Sequence, residues 1–315
     1  MPMKTLLNKI PGVLAIKELL VRAYYTVLFW EPVWWHVVNR RRRMLFQAAG
    51  VTLDAVQQRV VGDLEKNGIA FVHIDELFPG RNLLPKLQEY ARELRAAAKT
   101  HDRKKFLLEL FEASPVFDFS QPFVQFALNE RILAVVSSYL KLAPRFYAYT
   151  LNVTLPVSED AARVQSQRWH RDPEDKKLCK VFLYLNDVDQ GRGPFTYVLG
   201  SQYGGKWRGP FPQRPPHGSY PPEGAVEKMI PAGDIREATA PAGTIIFCDT
   251  SGIHRGGYAR AGERIMFTGG FITDASSWYP SYRFPDGSHA GRRGESPLVR
   301  AALMGKFRNS ASPRY

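Results

Sequence analysis

The spacing of apolar residues divides the chain into a helical first part and a β-rich second part. Apolar residues recur at helical spacing over residues 51–66, 83–99 and 130–140, and this spacing predicts three amphipathic helices. An asparagine–glycine pair ends the first of these segments, and a short apolar run over 69–74 follows it. The order predicts a helix, a glycine stop and a strand.

Short β-like runs alternate with glycine turns over the second part of the chain. These runs are 146–151, 180–185, 195–199, 244–248 and 265–272. Regular short strands that are separated by glycine turns are typical of sandwiches and barrels. The pattern therefore predicts a mainly β domain with flanking helices.

One long interruption breaks the strand pattern. Residues 204–233 are rich in proline and glycine and are too many for a simple turn. Loops of this length are usually lids or binding loops when they are ordered. We predict a lid-like insertion here, with an ordinary surface insertion as the alternative.

The first 48 residues combine aromatic, apolar and basic side chains and are predicted to form a helical extension. The segment 23–38 is interrupted by an acidic residue, a proline and a histidine, and it falls short of the ~20 residues that span a bilayer. Four arginines, 40–43, follow it. Aromatic residues beside a basic cluster suit a membrane–water interface. Peripheral membrane contact through 23–43 is therefore one hypothesis, and packing of a helix on the main domain is the other.

Charge and cysteine content limit the partners and the compartment. The formal net charge of +13 suits an anionic membrane, an anionic substrate or cofactor, or nucleic acid. The basic residues cluster at the termini, and no nucleic-acid-binding module is recognisable, so we expect no nucleic-acid partner. Two cysteines, Cys179 and Cys248, exclude a disulfide scaffold and favour a reducing compartment. We expect a cytoplasmic protein, with peripheral membrane association as the alternative.

Three residues form a candidate metal site. His170 and Asp172 lie two apart, so on a strand both side chains point to the same face. His254 follows the apolar run 244–248 and is flanked by glycines. Two histidines and one carboxylate can form a facial triad for Fe(II), which leaves positions for a bidentate 2-oxo acid and O₂.

An arginine in an unusual place strengthens this reading. Arg264 comes ten residues after His254, at the start of the apolar run 265–272. A guanidinium can bind the distal carboxylate of 2-oxoglutarate in a bidentate way, which a lysine cannot match. An ion pair at a strand end is the alternative role. Each signal is weak alone, and their conjunction carries the prediction.

The order and spacing of these motifs resemble the 2-oxoglutarate/Fe(II) oxygenase superfamily, and more narrowly the phytanoyl-CoA dioxygenase-like family. Residues 65–72 resemble its opening helix, glycine and strand, 129–133 its pre-barrel helix, and 193–202 a later strand and turn. The resemblance covers roughly residues 55–275. It implies a double-stranded β-helix (a cupin-like jelly roll) with flanking helices.

The same resemblance implies roles for individual residues. His170, Asp172 and His254 would bind Fe(II), and Arg264 would bind 2-oxoglutarate. O₂ would be the further cosubstrate, and ascorbate is a candidate stimulant. Two more residues fall near the 2-oxoglutarate pocket of the family, namely Asn152 and Phe182.

We therefore expect a dioxygenase that hydroxylates an unactivated C–H bond of a small-molecule or lipid-like substrate and releases succinate and CO₂. The alternatives are a membrane-recruited oxygenase that acts on a glycolipid and a non-catalytic jelly-roll binding protein. The expected domains are a basic aromatic extension (1–48), the jelly roll (49–285, with the insertion 204–233) and a basic C-terminal tail (286–315).

Overall fold

The computed structural model of this chain describes residues 13–97, 106–158, 160–285 and 296–304. In these ranges the α-helices are α1 (Val13–Leu28), α2 (Arg40–Ala49), α3 (Ala55–Asn67), α4 (Ile74–Leu77), α5 (Leu83–Ala97), α6 (Pro122–Ala127), α7 (Glu130–Leu140), α8 (Ala225–Met229) and α9 (Pro297–Leu303). The strands are β1 (Ile69–His73), β2 (Leu107–Glu109), β3 (Arg145–Thr154), β4 (Cys179–Tyr184), β5 (Thr196–Val198), β6 (Ile235–Glu237), β7 (Thr244–Cys248), β8 (His254–Arg255) and β9 (Arg264–Ile272). A π-helical segment, Val33–Val38, joins α1 to α2, and 3₁₀ turns occur at Gln165–Gln167 and Ala232–Asp234.

Helix α3 begins later than its apolar spacing predicts. The Asp54 carboxylate accepts a hydrogen bond from the Gln57 backbone N–H (2.9 Å), and the Gln57 side chain accepts one from the Asp54 N–H (3.1 Å). This reciprocal capping box fixes the first turn at Ala55. Gly68 ends the helix with φ at 77°, a left-handed conformation that favours glycine, and β1 follows at once.

Two antiparallel sheets form the centre of the fold. The larger sheet has the order β1-β7-β4-β9-β3-β2, and the smaller one has the order β6-β5-β8. Alternate residues of β4 point to opposite sides: Val181 and Leu183 join the core beneath the helices, whereas Phe182 and Tyr184 join the core between the sheets. The two facing sheets and their flanking helices form the jelly roll that the sequence predicts.

The second half of the predicted N-terminal extension packs into this domain. Trp34 is buried, and its indole N–H donates to Asp175 Oδ1 (3.3 Å). The buried Arg42 pairs with Asp274 (3.0 Å) and donates to two backbone carbonyls near the end of α9. Residues 1–12 of the predicted extension lie outside the described residues.

Part of the predicted C-terminal tail is helical. Ser296 caps α9 by accepting a hydrogen bond from the Val299 N–H (3.3 Å), and α9 packs against α2 and α7. The rest of that predicted tail, 286–295 and 305–315, lies outside the described residues. None of the helices in the described ranges is long and apolar enough to cross a membrane.

Candidate active site

Backbone pairing brings the three predicted metal ligands together. The His170 N–H donates to the His254 carbonyl (2.8 Å), and the His254 N–H donates to the His170 carbonyl (2.9 Å). The Asp172 N–H donates to the carbonyl of Thr250 (3.0 Å). In consequence Asp172 Oδ1 lies 3.6 Å from His170 Nε2, and Asp172 Oδ2 lies 3.6 Å from His254 Nε2. One ligand atom from each residue lies within 4.8 Å of the others.

Backbone carbonyls two residues earlier in the chain orient the two imidazole rings. His170 Nδ1 lies 2.8 Å from the Arg168 carbonyl, and His254 Nδ1 lies 3.0 Å from the Gly252 carbonyl. A carbonyl only accepts, so each Nδ1 carries the proton and each Nε2 presents a lone pair. An imidazole lone pair makes no hydrogen bond with a carboxylate oxygen. The nitrogen and the oxygen can, however, both bind a cation that lies between them. The donor set therefore fits a divalent metal such as Fe(II).

The protonation states suit the same role. Burial lowers the pKa of His170, and burial together with the neighbouring His170 lowers the pKa of His254 to about 3. Burial alone would raise the pKa of Asp172, but the Lys180 ammonium and the two imidazoles lower it below its usual value. At neutral pH the site consists of two neutral imidazoles and one carboxylate, so metal binding need displace no proton.

A half-buried lysine is the part of this site that the sequence did not predict. Lys180 Nζ donates to Asp172 Oδ2 (2.6 Å) and to Glu174 Oε1 (3.3 Å). Tyr147 donates its hydroxyl proton to the same Glu174 oxygen (3.1 Å). Although burial alone would lower the pKa of Lys180, Asp172 and Glu174 raise it well above the usual value. The ammonium is therefore the fixed counterion of the candidate metal-binding carboxylate.

Arg264 is buried at the start of β9 and faces the space between the sheets. Its Nη1 donates to the Gly193 carbonyl (2.6 Å), and its Nη2 donates to the Thr154 hydroxyl (3.0 Å). Its Nε has no hydrogen-bond partner among the described residues, none of which supplies a carboxylate to it. Burial lowers the pKa of this guanidinium. A buried cation without a counterion suits the binding of an anionic ligand.

Asn152 and Phe182 lie on the same inner face as Arg264. Asn152 stands opposite Met266 in the β3–β9 pairing, and Phe182 stands opposite Thr268 in the β4–β9 pairing. Since alternate strand residues share a face, all of these side chains line the space between the sheets. The Asn152 side-chain oxygen is buried there without a partner among the described residues. The position of both residues agrees with a cosubstrate pocket, and their roles stay predictions.

The insertion 204–233 is held against the triad rather than projecting from it. Arg171, the middle residue of the His-x-Asp motif, is buried and donates to six backbone carbonyls. Four of these carbonyls belong to the insertion: Trp207, Arg208, Pro210 and Phe211.

Further contacts close the insertion over the site. Gln213 donates to the Asp172 carbonyl (2.6 Å), and the ring of Tyr220 stacks on His170 with centroids 5.7 Å apart. Sequence reasoning missed the structural role of Arg171. The position of Arg171 in the motif could have indicated this role, because a residue between two ligands on one strand face points to the other face.

Comparisons with known proteins bear on the fold. No protein-family model and no curated protein sequence matches this chain. Among solved structures, the chain is similar to the epimerase SnoN in complex with Fe³⁺, alpha ketoglutarate and nogalamycin RO: the TM-score is 0.54, 16% of residues are identical, and the match covers 72% of this chain and 87% of SnoN. It is also similar to the non-heme alpha ketoglutarate-dependent carbocyclase SnoK from nogalamycin biosynthesis (TM-score 0.50, 13% identity, 71% of this chain and 85% of SnoK).

Likenesses at this level of sequence identity establish a shared fold. The chain has the fold of these two non-haem enzymes, which agrees with the predicted jelly roll. The narrower resemblance to the phytanoyl-CoA dioxygenase-like family stays a prediction.

Proposed function

We propose that this chain is a non-haem Fe(II)- and 2-oxoglutarate-dependent dioxygenase that hydroxylates an unactivated C–H bond of a small-molecule substrate. The observation that carries this proposal is the convergence of His170, Asp172 and His254, with both imidazole Nε2 atoms aimed at the carboxylate. Two solved proteins with the same fold support the assignment, since SnoN was solved with Fe³⁺ and alpha ketoglutarate and SnoK is alpha ketoglutarate-dependent.

Each residue of the site has a proposed task. His170, Asp172 and His254 would hold the metal, and Lys180 fixes the orientation of the Asp172 carboxylate. Arg264 binds the distal carboxylate of 2-oxoglutarate, because it is a buried guanidinium with an unused N–H. Fe(II) and 2-oxoglutarate would together activate O₂ for the oxidation of a C–H bond, with release of succinate and CO₂.

The surrounding side chains control access and water. Phe182 and Phe195 pack near His254, with ring centroids 4.9 Å apart between the phenylalanines and 5.5 Å between Phe195 and His254. This apolar wall keeps water from the inner face of the larger sheet. Tyr220, from the insertion, covers His170 on the other side.

The metal assignment is tested by succinate release from 2-oxoglutarate with Fe(II) and O₂, and by titration of Mn(II) as an inert metal probe. Asp172→Ala and His254→Ala are expected to lose both succinate release and Mn(II) binding. His36→Ala, at an exposed histidine outside the site, is the matched control and keeps both. Unchanged Mn(II) binding by Asp172→Ala would overturn the assignment. Binding of metal and 2-oxoglutarate without any turnover would favour the non-catalytic jelly roll.

The cosubstrate assignment is tested by Arg264→Lys. Lysine keeps the charge but cannot form the planar, bidentate contact, so the KM for 2-oxoglutarate is expected to rise roughly tenfold. Mn(II) affinity should stay unchanged, since Arg264 contacts no triad residue. An unaltered KM would assign Arg264 to structure alone.

The reaction outcome is tested by product mass. Hydroxylation adds one oxygen atom to the substrate, whereas the structural relatives are described as an epimerase and a carbocyclase. A product without the added oxygen would keep the cofactor assignment and overturn hydroxylation.

Two buried free cysteines suit a reducing compartment, so we place the proposed reaction in the cytoplasm.

A further inference from the structure

Exposed apolar side chains are concentrated in one part of the molecule, residues 13–49, which we name the N-terminal arm. Fourteen large apolar side chains are exposed in the described part of the chain, and nine of them belong to the arm. These nine are Leu14, Ile16, Leu19, Leu20, Tyr24, Val27, Trp30, Val37 and Met44. Water-exposed apolar surface of this density marks an interaction site more often than a free surface.

Helix α1 has two apolar faces, and only one of them packs on the protein. Leu28 joins the core beneath the helices, and the Tyr25 hydroxyl lies 2.8 Å from Ser277 Oγ. The opposite face carries four residues at helical spacing, each between 59 and 66% exposed: Ile16, Leu19, Leu20 and Val27. A helix that packs through one stripe does not need a second one for the fold, so the outer stripe is available for a partner.

Positive charge accompanies this apolar surface. On α2 the exposed Arg40 and Arg41 share a helix face with the exposed Met44, around a depression of about 480 Å³. Neither arginine forms an ion pair with a described residue. Of the two acidic residues of the arm, Glu31 pairs with Lys176. The exposed Glu18 is outnumbered by the exposed Lys17 and Arg22 on the same helix. The outer surface of the arm is therefore apolar and cationic.

We propose that the N-terminal arm docks the protein on an anionic lipid membrane, with α1 lying in the interface plane. Exposed apolar side chains would enter the acyl boundary, while Arg40 and Arg41 contact lipid phosphates. Charge complementarity favours this partner over a second copy of the chain, since a symmetric contact would bring the same basic surface to both sides. No described helix crosses a bilayer, which agrees with peripheral docking.

The arm also adjoins the insertion that covers the triad. The Glu31 carboxylate accepts a hydrogen bond from the Tyr203 hydroxyl (2.7 Å), just before the insertion begins. A cavity of about 500 Å³ lies between the arm and the side chains of Lys176, Tyr203 and Arg208. Docking would bring a lipid surface beside this cavity, which extends the proposed function toward lipid-like substrates. Docking itself does not rest on that function.

The test is flotation of the full chain with vesicles of phosphatidylcholine alone or of phosphatidylcholine with phosphatidylglycerol. The wild type is expected to float with the anionic vesicles, and high salt should weaken the binding. Leu20→Glu with Val27→Glu should weaken it about tenfold or more, because two apolar anchors become charged. Arg40→Gln with Arg41→Gln should weaken it roughly fivefold per arginine, on anionic vesicles only.

Met229→Glu is the matched control, because Met229 is also an exposed apolar residue but lies on α8, outside the arm. It should float like the wild type. Equal flotation of the wild type and the Leu20/Val27 variant would overturn the proposal. The proposal would also be overturned if light scattering showed a dimer and the wild type floated with neither kind of vesicle, since a second copy would then cover the arm. Succinate release in detergent-free solution reports separately on the catalytic assignment.

Discussion

At the scale of single residues, the ion pair between Lys180 and Asp172 determines how much metal binding stabilises the folded protein. Without a metal, the buried carboxylate is balanced by Lys180 at 2.6 Å, and the two neutral imidazoles offer no positive charge. A bound dication would supply a second positive charge beside this carboxylate. Lys180 and the metal therefore share the task of stabilising one carboxylate, and the weight of each can be separated by substitution.

Lys180→Met is expected to lower the free energy of unfolding of the metal-free protein by roughly 3 kcal/mol, because it leaves Asp172 buried without its ammonium partner. Added Mn(II) should restore more stability to the variant than to the wild type, since the cation then becomes the main counterion. Denaturant unfolding with and without Mn(II) measures both effects. Lys177→Met is the matched control, as Lys177 donates to a backbone carbonyl (2.7 Å) instead of a carboxylate. An identical gain from Mn(II) in all three proteins would contradict the shared-counterion account.

At the scale of elements, the sequence predicts the long strands well and the short ones poorly. Strands β4, β7 and β9 lie within one residue of their predicted bounds, because most of their residues are apolar and buried. Strand β3 extends three residues beyond its predicted end. Strands β6 and β8 have only three and two residues and carry no such run. Both strands form by pairing with β5. This pairing depends on residues that are distant in the sequence, so the local sequence does not predict it.

The candidate site was predictable to a similar degree. Spacing predicted the triad and Arg264, because their residue types are unusual beside buried strands. The structure brings the three triad residues together, and the role of Arg264 stays a prediction. Lys180 was missed although it shares a face with Phe182 by the two-residue period of β4. A single lysine in an apolar run does not reveal whether it faces solvent or a carboxylate. The position of Asp172 beside Lys180 decides this, and that position is a property of the folded chain.

The insertion is the element whose attachment can be tested most directly. Arg171→Met removes the donors to the carbonyls of Trp207, Pro210 and Phe211, so several buried acceptors lose their partner. The free energy of unfolding should fall by roughly 3 kcal/mol, and limited proteolysis should cut within 204–233 faster than in the wild type. Arg81→Met, which changes an exposed arginine outside the insertion, is the control. Unaltered cleavage in the Arg171 variant would show that other contacts hold the insertion.

At the scale of the whole molecule, one buried carboxylate joins three distant parts of the chain. Asp175 Oδ1 accepts hydrogen bonds from the Trp34 indole (3.3 Å) and the Lys176 N–H (2.7 Å), and Oδ2 accepts one from the Thr273 N–H (2.7 Å). The N-terminal arm, the loop after the His-x-Asp motif and the end of β9 therefore meet at this residue. Burial outweighs these hydrogen bonds and raises the pKa of Asp175 to about 6 from an ordinary value of 3.8.

The direction of the resulting pH dependence follows from proton binding. Between pH 6 and 3.8 the folded protein carries a proton on Asp175 and the unfolded chain does not, so this group adds stability as the pH falls and loses it as the pH rises through 6. The free energy of unfolding of the wild type, relative to Asp175→Asn, should rise by roughly 1 kcal/mol from pH 7 to pH 5. Other titrating groups cancel in this difference, and Asp160→Asn serves as a control at an exposed aspartate. Denaturant unfolding at both pH values measures it, and a difference that shrinks toward pH 5 would mean that the hydrogen bonds, rather than burial, dominate at Asp175.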